Sequence, residues 1–94
     1  MNKYLVITAD DSQCYVSLGK RALPTLQDCW EYIEYDLKNY MDNLFNDAID
    51  KHEDVEVGCE NIYWSENGCF VQNADFQCEY EIVDMEKEME GEEE

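Results

Sequence analysis

An antiparallel sheet of about five strands with one long amphipathic helix packed on one face, an α+β domain, is what this sequence predicts. Three observations predict it. Phe76 to Val83 alternates strictly, with Phe76, Cys78, Tyr80 and Ile82 on one side and Gln77, Glu79 and Glu81 on the other, the pattern of a half-buried antiparallel strand. Eight apolar residues from Leu26 to Ala48 recur at spacings of three and four, the helical period. Before that helix lie two short runs, and after it come further extended runs, giving the order β-β-α-β-β-β.

Taken in order, Lys3 to Ala9 is rich in β-branched residues, and a polar turn over Asp10, Asp11, Ser12 and Gln13 leads to a second run, Cys14 to Leu18. This is a hairpin signal. A loop follows from Gly19 to Pro24 and holds the adjacent bases Lys20 and Arg21. Thr25 with Asp28 three residues on resembles a capping box and starts a helix near Leu26. Leu26, Trp30, Ile33, Leu37, Tyr40, Met41, Leu44 and Ala48 form its expected buried stripe, continuing to Asp50 or Lys51. A helix of roughly 25 residues would be about 37 Å long. After the polar break at His52 to Asp54, the runs Val55 to Val57 and Glu60 to Trp64 read as extended chain with a bulge near Gly58. Asn67-Gly68 is a type I′ signal that would pair Glu66 with Cys69 and set Trp64 opposite Val71. The chain thus divides into a domain over residues 1–83 and an acidic tail over residues 84–94, for which a short frayed helix and a solvated arm both fit.

Charge is the main functional clue. Twenty-four acids face six bases, a net charge of −18. Residues 1–23 hold Asp10 and Asp11 against Lys3, Lys20 and Arg21, net +1, so residues 24–94 carry −19. Such a charge opposes compaction and points to a basic partner. With 45% apolar residues, seven Tyr, three Phe and two Trp, the chain is nonetheless equipped for a core.

The same residues argue against several chemistries. Five cysteines without a C-x-x-C pair and a single histidine, His52, do not suit a zinc centre, and buried free thiols in a reducing cytoplasm are preferred over a disulfide pair. The acids fall in no EF-hand pattern, so no defined metal site and no cofactor is expected. No Cys–His arrangement supports a nucleophile, and no catalytic residue is assigned. Direct nucleic-acid binding lacks a basic stripe. Met1 to Ala9 is too short for a secretory leader, and no apolar run reaches membrane-span length, so a cytoplasmic protein is expected.

Opposite the apolar stripe, the helix carries Asp28, Glu31, Glu34, Asp36, Asp42, Asp47 and Asp50, with Lys38 as the internal counter-charge. Neighbours three or four apart lie about 5–6 Å from one another and repel, so helix stability does not explain them. Tyr32 and Tyr35 fall among them, with Phe45 and Ile49 on the flank, and tyrosine is a common interface anchor. The ridge imitates a row of phosphates. Asp28, Glu31, Glu34, Asp36 and Asp42 with Tyr32 and Tyr35 are therefore the candidate partner-binding residues, joined by Glu66 at the tip of the predicted hairpin.

In size, charge and layout, residues 24–94 resemble the small acidic DNA-mimic inhibitors of phages and mobile elements, which include anti-CRISPR and anti-restriction families. The likeness is one of composition and acidic-helix placement, not of motif. It implies a target class: a nucleic-acid-binding protein of a bacterial defence system, such as a CRISPR effector, blocked at its basic cleft inside the host cell, where carboxylates would engage arginines bidentately. An acidic adaptor that binds a basic cellular protein through its C-terminal tail is the alternative.

Overall fold

The structure is a computed structural model that describes residues 2–12, 16–74 and 76–86. Asp10, Asp11 and Ser12, expected in a turn, instead continue the first strand, and Gly19 to Leu23, expected in a loop, belong to the second, because the two runs pair along their whole length. Gln13, Cys14, tail residues 87–94 and the side chain of Phe76 lie outside the described residues. The α+β class is observed. The order is β1 (Tyr4–Ser12), β2 (Val16–Leu23), α1 (Leu26–Tyr40), a single 3-10 turn (Asn43–Phe45), α2 (Asn46–Lys51), β3 (Val55–Val57), β4 (Glu60–Trp64), β5 (Gly68–Gln72) and β6 (Phe76–Asp84).

Among the described residues six strands, where about five were expected, form one antiparallel sheet in the order β2-β1-β6-β5-β4-β3. The extra strand arises at Gly58. Its φ of 60° supplies a left-handed turn residue, so Val57 and Glu60 pair across a two-residue loop where the sequence suggested a bulge. β6 continues through Asp84, opposite Tyr4, and the Met85 N–H donates to the Lys3 carbonyl.

The single long helix is also corrected. The chain must travel from edge strand β2 to edge strand β3, five strand spacings or about 24 Å. The 15 residues of α1 supply about 22 Å of rise, whereas an unbroken 25-residue rod of about 37 Å would overrun the sheet. The break falls where the sequence offers a cap. Met41 is extended (φ −101°, ψ 157°), and the Asp42 carboxylate accepts the Leu44 N–H at 3.2 Å to open the next helical turn. α2 then ends on His52 in the left-handed region (φ 55°), with its N–H and that of Glu53 bonded to the Ile49 and Ala48 carbonyls.

Breaking the helix re-phases its apolar stripe. Cys29, Ile33, Leu37, Met41, Phe45 and Ile49 are buried, each four residues after the last. Ile33, Leu37 and Met41 were expected there; Phe45 and Ile49, placed on the acidic flank by a continuous helix, are core. Leu26, Tyr40 and Leu44 are exposed instead. Beneath the helices lie Val6, Ile62, Cys69, Val71, Cys78, Tyr80 and Ile82. Full burial of residues such as Ile33, Leu37 or Ile62 contributes about 1.5–3 kcal/mol each.

The β4–β5 hairpin closes one residue earlier than Asn67-Gly68 suggested. Ser65 N–H donates to the Gly68 carbonyl at 3.0 Å, and Trp64 pairs with Cys69 and Ile62 with Val71. The register differs by two residues from the expectation, which leaves inward and outward sides unchanged. Gly68 is used for space and not for turn conformation: it is buried, its φ is not positive, and a Cβ there would collide with the Tyr80 carbonyl oxygen on β6. Gly58, by contrast, has open space around it and needs only its left-handed φ. Gly68→Ala is therefore expected to destabilise by about 1–3 kcal/mol through overpacking, while Gly58→Asn, whose side chain tolerates positive φ, costs under about 1 kcal/mol. Urea unfolding of both variants checks the contrast.

Candidate functional site

The eight residues predicted to bind a partner are distributed by the fold among different tasks. Thr25 caps α1 by accepting the Asp28 N–H at 3.1 Å, and Asp28 is half-buried in that first turn. Glu31 and Tyr35, one turn apart, are exposed, Tyr35 at 68%, and Glu31 accepts from the Gln27 amide. These two form the outward part of the ridge. Asp42 is exposed at the helix break, where it serves as a cap. Glu66 is exposed on the β4–β5 turn, a separate element.

Tyr32, Glu34 and Asp36 are occupied within the molecule. Tyr32 packs against the core with the Arg21 guanidinium 5.7 Å from its ring centre. The Glu34 carboxylate meets His52 Nε2 at 2.7 Å. Asp36 accepts from the buried Tyr80 hydroxyl at 3.5 Å. A helix packed on a sheet presents its flanks to the sheet as well as its centre, so carboxylates 100° from the stripe reach sheet groups.

A polar cluster that the sequence reading did not assemble surrounds His52. Its ring stacks on Trp64 (centroids 4.1 Å, planes 8° apart) and lies 5.0 Å from Trp30, while Trp64 Nε1 donates to the Glu53 carbonyl and Trp64 N to Asp54. With Lys38–Asp50 at 2.5 Å, the His52–Glu34 pair ties α2 back onto α1 across the break. The signal was a lone histidine beside a helix end with two tryptophans elsewhere, but only the tertiary fold juxtaposes them.

The thiols divide by burial. Cys29, Cys69 and Cys78 are buried and Cys59 is exposed on the β3–β4 loop, against the expectation of burial throughout. Desolvation, helped by neighbouring Cys78 and Asp54, pushes the Cys69 thiol up to about 12, and desolvation pushes Cys78 up to about 11. These two are held as thiols, not thiolates, at neutral pH. No group of three or more His, Cys, Asp or Glu side chains suited to a metal occurs among the described residues.

No family model matches this chain, and neither curated proteins nor solved structures give a match.

What the geometry offers is a surface. Exposed carboxylates occur on every layer: Glu31 and Asp42 on the helix side, Glu53, Asp54 and Glu56 around β3, and Glu79 and Glu81 on the outer face of β6. No described helix is long and apolar enough to cross a membrane.

Two outcomes follow. Burial raises the Asp36 pKa above its ordinary 3.8, the Tyr80 hydrogen bond opposing the shift. A carboxyl raised in the folded state stabilises below the unfolded value and loses that contribution as pH rises through the folded value. Asp36→Asn, which keeps an acceptor for Tyr80, is therefore expected to raise stability at neutral pH by no more than about 1 kcal/mol once solvent screening is allowed for, and to match the parent in acid below the usual carboxylate range; thermal unfolding at both pH values measures this. Among Cys29, Cys59, Cys69 and Cys78, a maleimide is expected to label Cys59 alone in native buffer, with the other three reacting only on unfolding, as peptide mass mapping would show.

Proposed function

We propose that this chain is a non-catalytic inhibitor of the phage type that acts as a nucleic-acid mimic, blocking the DNA-binding cleft of a bacterial defence nuclease such as a CRISPR effector. The observation that carries the reading is the charge: −18 over 94 residues, with −19 in residues 24–94. Internal compensation is small. Lys38–Asp50 and Lys51–Asp47 are exposed pairs that neutralise little of it. A stable fold that keeps such self-repulsion gains from a basic partner whose lysines and arginines replace the missing counter-charges.

In this reading the mimic surface on the helix side consists of Glu31, Tyr35 and Asp42, with Asp28 at its margin; Glu34, Asp36 and Tyr32 are left out of it as they serve internal contacts. Tyr35 is the aromatic anchor of this set, since a rigid ring exposed at 68% among carboxylates offers area and a hydroxyl at low entropic cost. The reaction class is binding: carboxylates occupy the positions of phosphates on the target's arginines, and DNA is excluded by competition.

Affinity for a DNA-binding nuclease target is expected to fall at least about tenfold between low and physiological salt, because exposed charge pairs are screened. DNA added in excess should displace the inhibitor, and the double reversal Glu31→Lys with Asp42→Lys should weaken inhibition by about 1–3 kcal/mol of binding free energy. Calorimetry at two salt concentrations and a nuclease assay with competitor DNA measure these. Salt-independent binding, or full inhibition by the reversed variant, overturns the reading.

A further inference from the structure

The sheet has a second face, which the helices leave open. Strand pairing lays out its side chains in rows. Ala22, Leu5 and Val83 form one row; Lys20, Ile7, Glu81 and Gly68 the next; Leu18, Ala9, Glu79, Phe70 and Tyr63 the third. A solvated antiparallel face normally reads as polar. Here Leu5, Ile7, Ala9 and Val83 lie in its middle, and Leu18 is 74% exposed beside them.

Glu79 and Glu81 stand inside this apolar field on β6, a central strand. Edge protection, a common reason for strand charges, therefore does not account for them. Neither is ion-paired among the described residues. Beside them Phe70 and Tyr63 stack at 6.3 Å with planes 19° apart. A cleft of about 230 Å³ next to this pair is lined by Tyr63, Asn67, Gly68, Phe70, Glu79 and Glu81. That is below the roughly 300 Å³ at which small-molecule pockets begin. It is the scale of one side chain.

We propose that this open face docks an arginine-bearing segment of a partner protein, one guanidinium lying against Phe70 in the cleft and accepted by the carboxylates of Glu79 and Glu81. The flat guanidinium suits both groups, stacking on an aromatic face while its N–H donors meet carboxylate oxygens. Apolar side chains flanking the arginine would cover Ile7, Ala9 and Leu18. A second copy of this chain is a poor occupant, since it would bring another −18 onto the same glutamates. The inference goes beyond the function proposed above. It names a different surface and requires arginine, not a nucleic-acid cleft.

The test is a two-dimensional amide NMR titration of the full chain with the peptide acetyl-Gly-Leu-Arg-Leu-Gly-amide, up to millimolar concentration, alongside its lysine and citrulline analogues. Shifts are expected to concentrate at residues 63–70 and 79–81. The lysine peptide should bind at least about threefold more weakly, and the neutral citrulline peptide should not bind. The double variant Glu79→Gln with Glu81→Gln, which removes charge at exposed positions, is expected to lose at least about tenfold in affinity, and Phe70→Leu to lose part of it, while Glu53→Gln, exposed and part of neither proposed surface, leaves it unchanged. No shift at millimolar peptide, shifts spread evenly over all exposed carboxylates, or unchanged binding by the Glu79/Glu81 variant overturns the proposal. Nuclease inhibition by that same variant is scored separately, so that loss of peptide binding with intact inhibition, or the reverse, shows which of the two surfaces has failed.

Discussion

Everything in this fold depends on the first and last strands lying side by side. β1 and β6 pair from Tyr4↔Asp84 to Ser12↔Phe76, across most of the chain length, and that ladder puts β6 in the middle of the sheet. Closing so distant a contact is entropically expensive, and the dry inner side of β6 offsets it: Cys78, Tyr80 and Ile82 are all buried under the helices. With β6 central, β2 and β3 become opposite edges. The helical connection must then cross the whole sheet, and its length and its break at Asp42 follow from that span.

Tyr80 shows how tightly the layers are coupled through this strand. Its ring fills the core, its hydroxyl reaches Asp36 on α1, and its backbone carbonyl lies where only a residue without Cβ can sit on β5. One strand position therefore constrains a helix carboxylate on one side and a glycine on its neighbour. The same glycine is one of the residues that line the cleft on the outer face.

The carboxylates are not one population. Some are held in internal contacts: Glu34 with His52, Asp36 with Tyr80, Asp54 accepting the Trp64 N–H. The others are left at the surface, where they repel one another and oppose folding. Two geometrically distinct sets remain, one on the helix side around Glu31, Tyr35 and Asp42, the other on the sheet around Glu79 and Glu81. They lie on opposite layers. The partners proposed for the two sets need not exclude one another, because the two surfaces share no residue.

Much was legible from local pattern alone. The α+β class, the cap at Thr25, the inward side of β6, and Ile33, Leu37 and Met41 as core are set by periodicity and side-chain chemistry, which act over a few residues and so survive in the linear string. The helix break, the shift of the stripe to Phe45 and Ile49, the sixth strand and the partners of Glu34 and Asp36 were decided by tertiary structure. Each needs a length or a neighbour supplied from elsewhere: the sheet's width stops α1, Gly58's positive φ turns β3 into β4, and His52 and Tyr80 arrive from sequence positions far from the acids they meet. Net charge is additive over the chain, so the amino-acid sequence alone determined that this protein is strongly anionic. Which carboxylates face outward is a question of packing, and only the assembled sheet and helices could answer it.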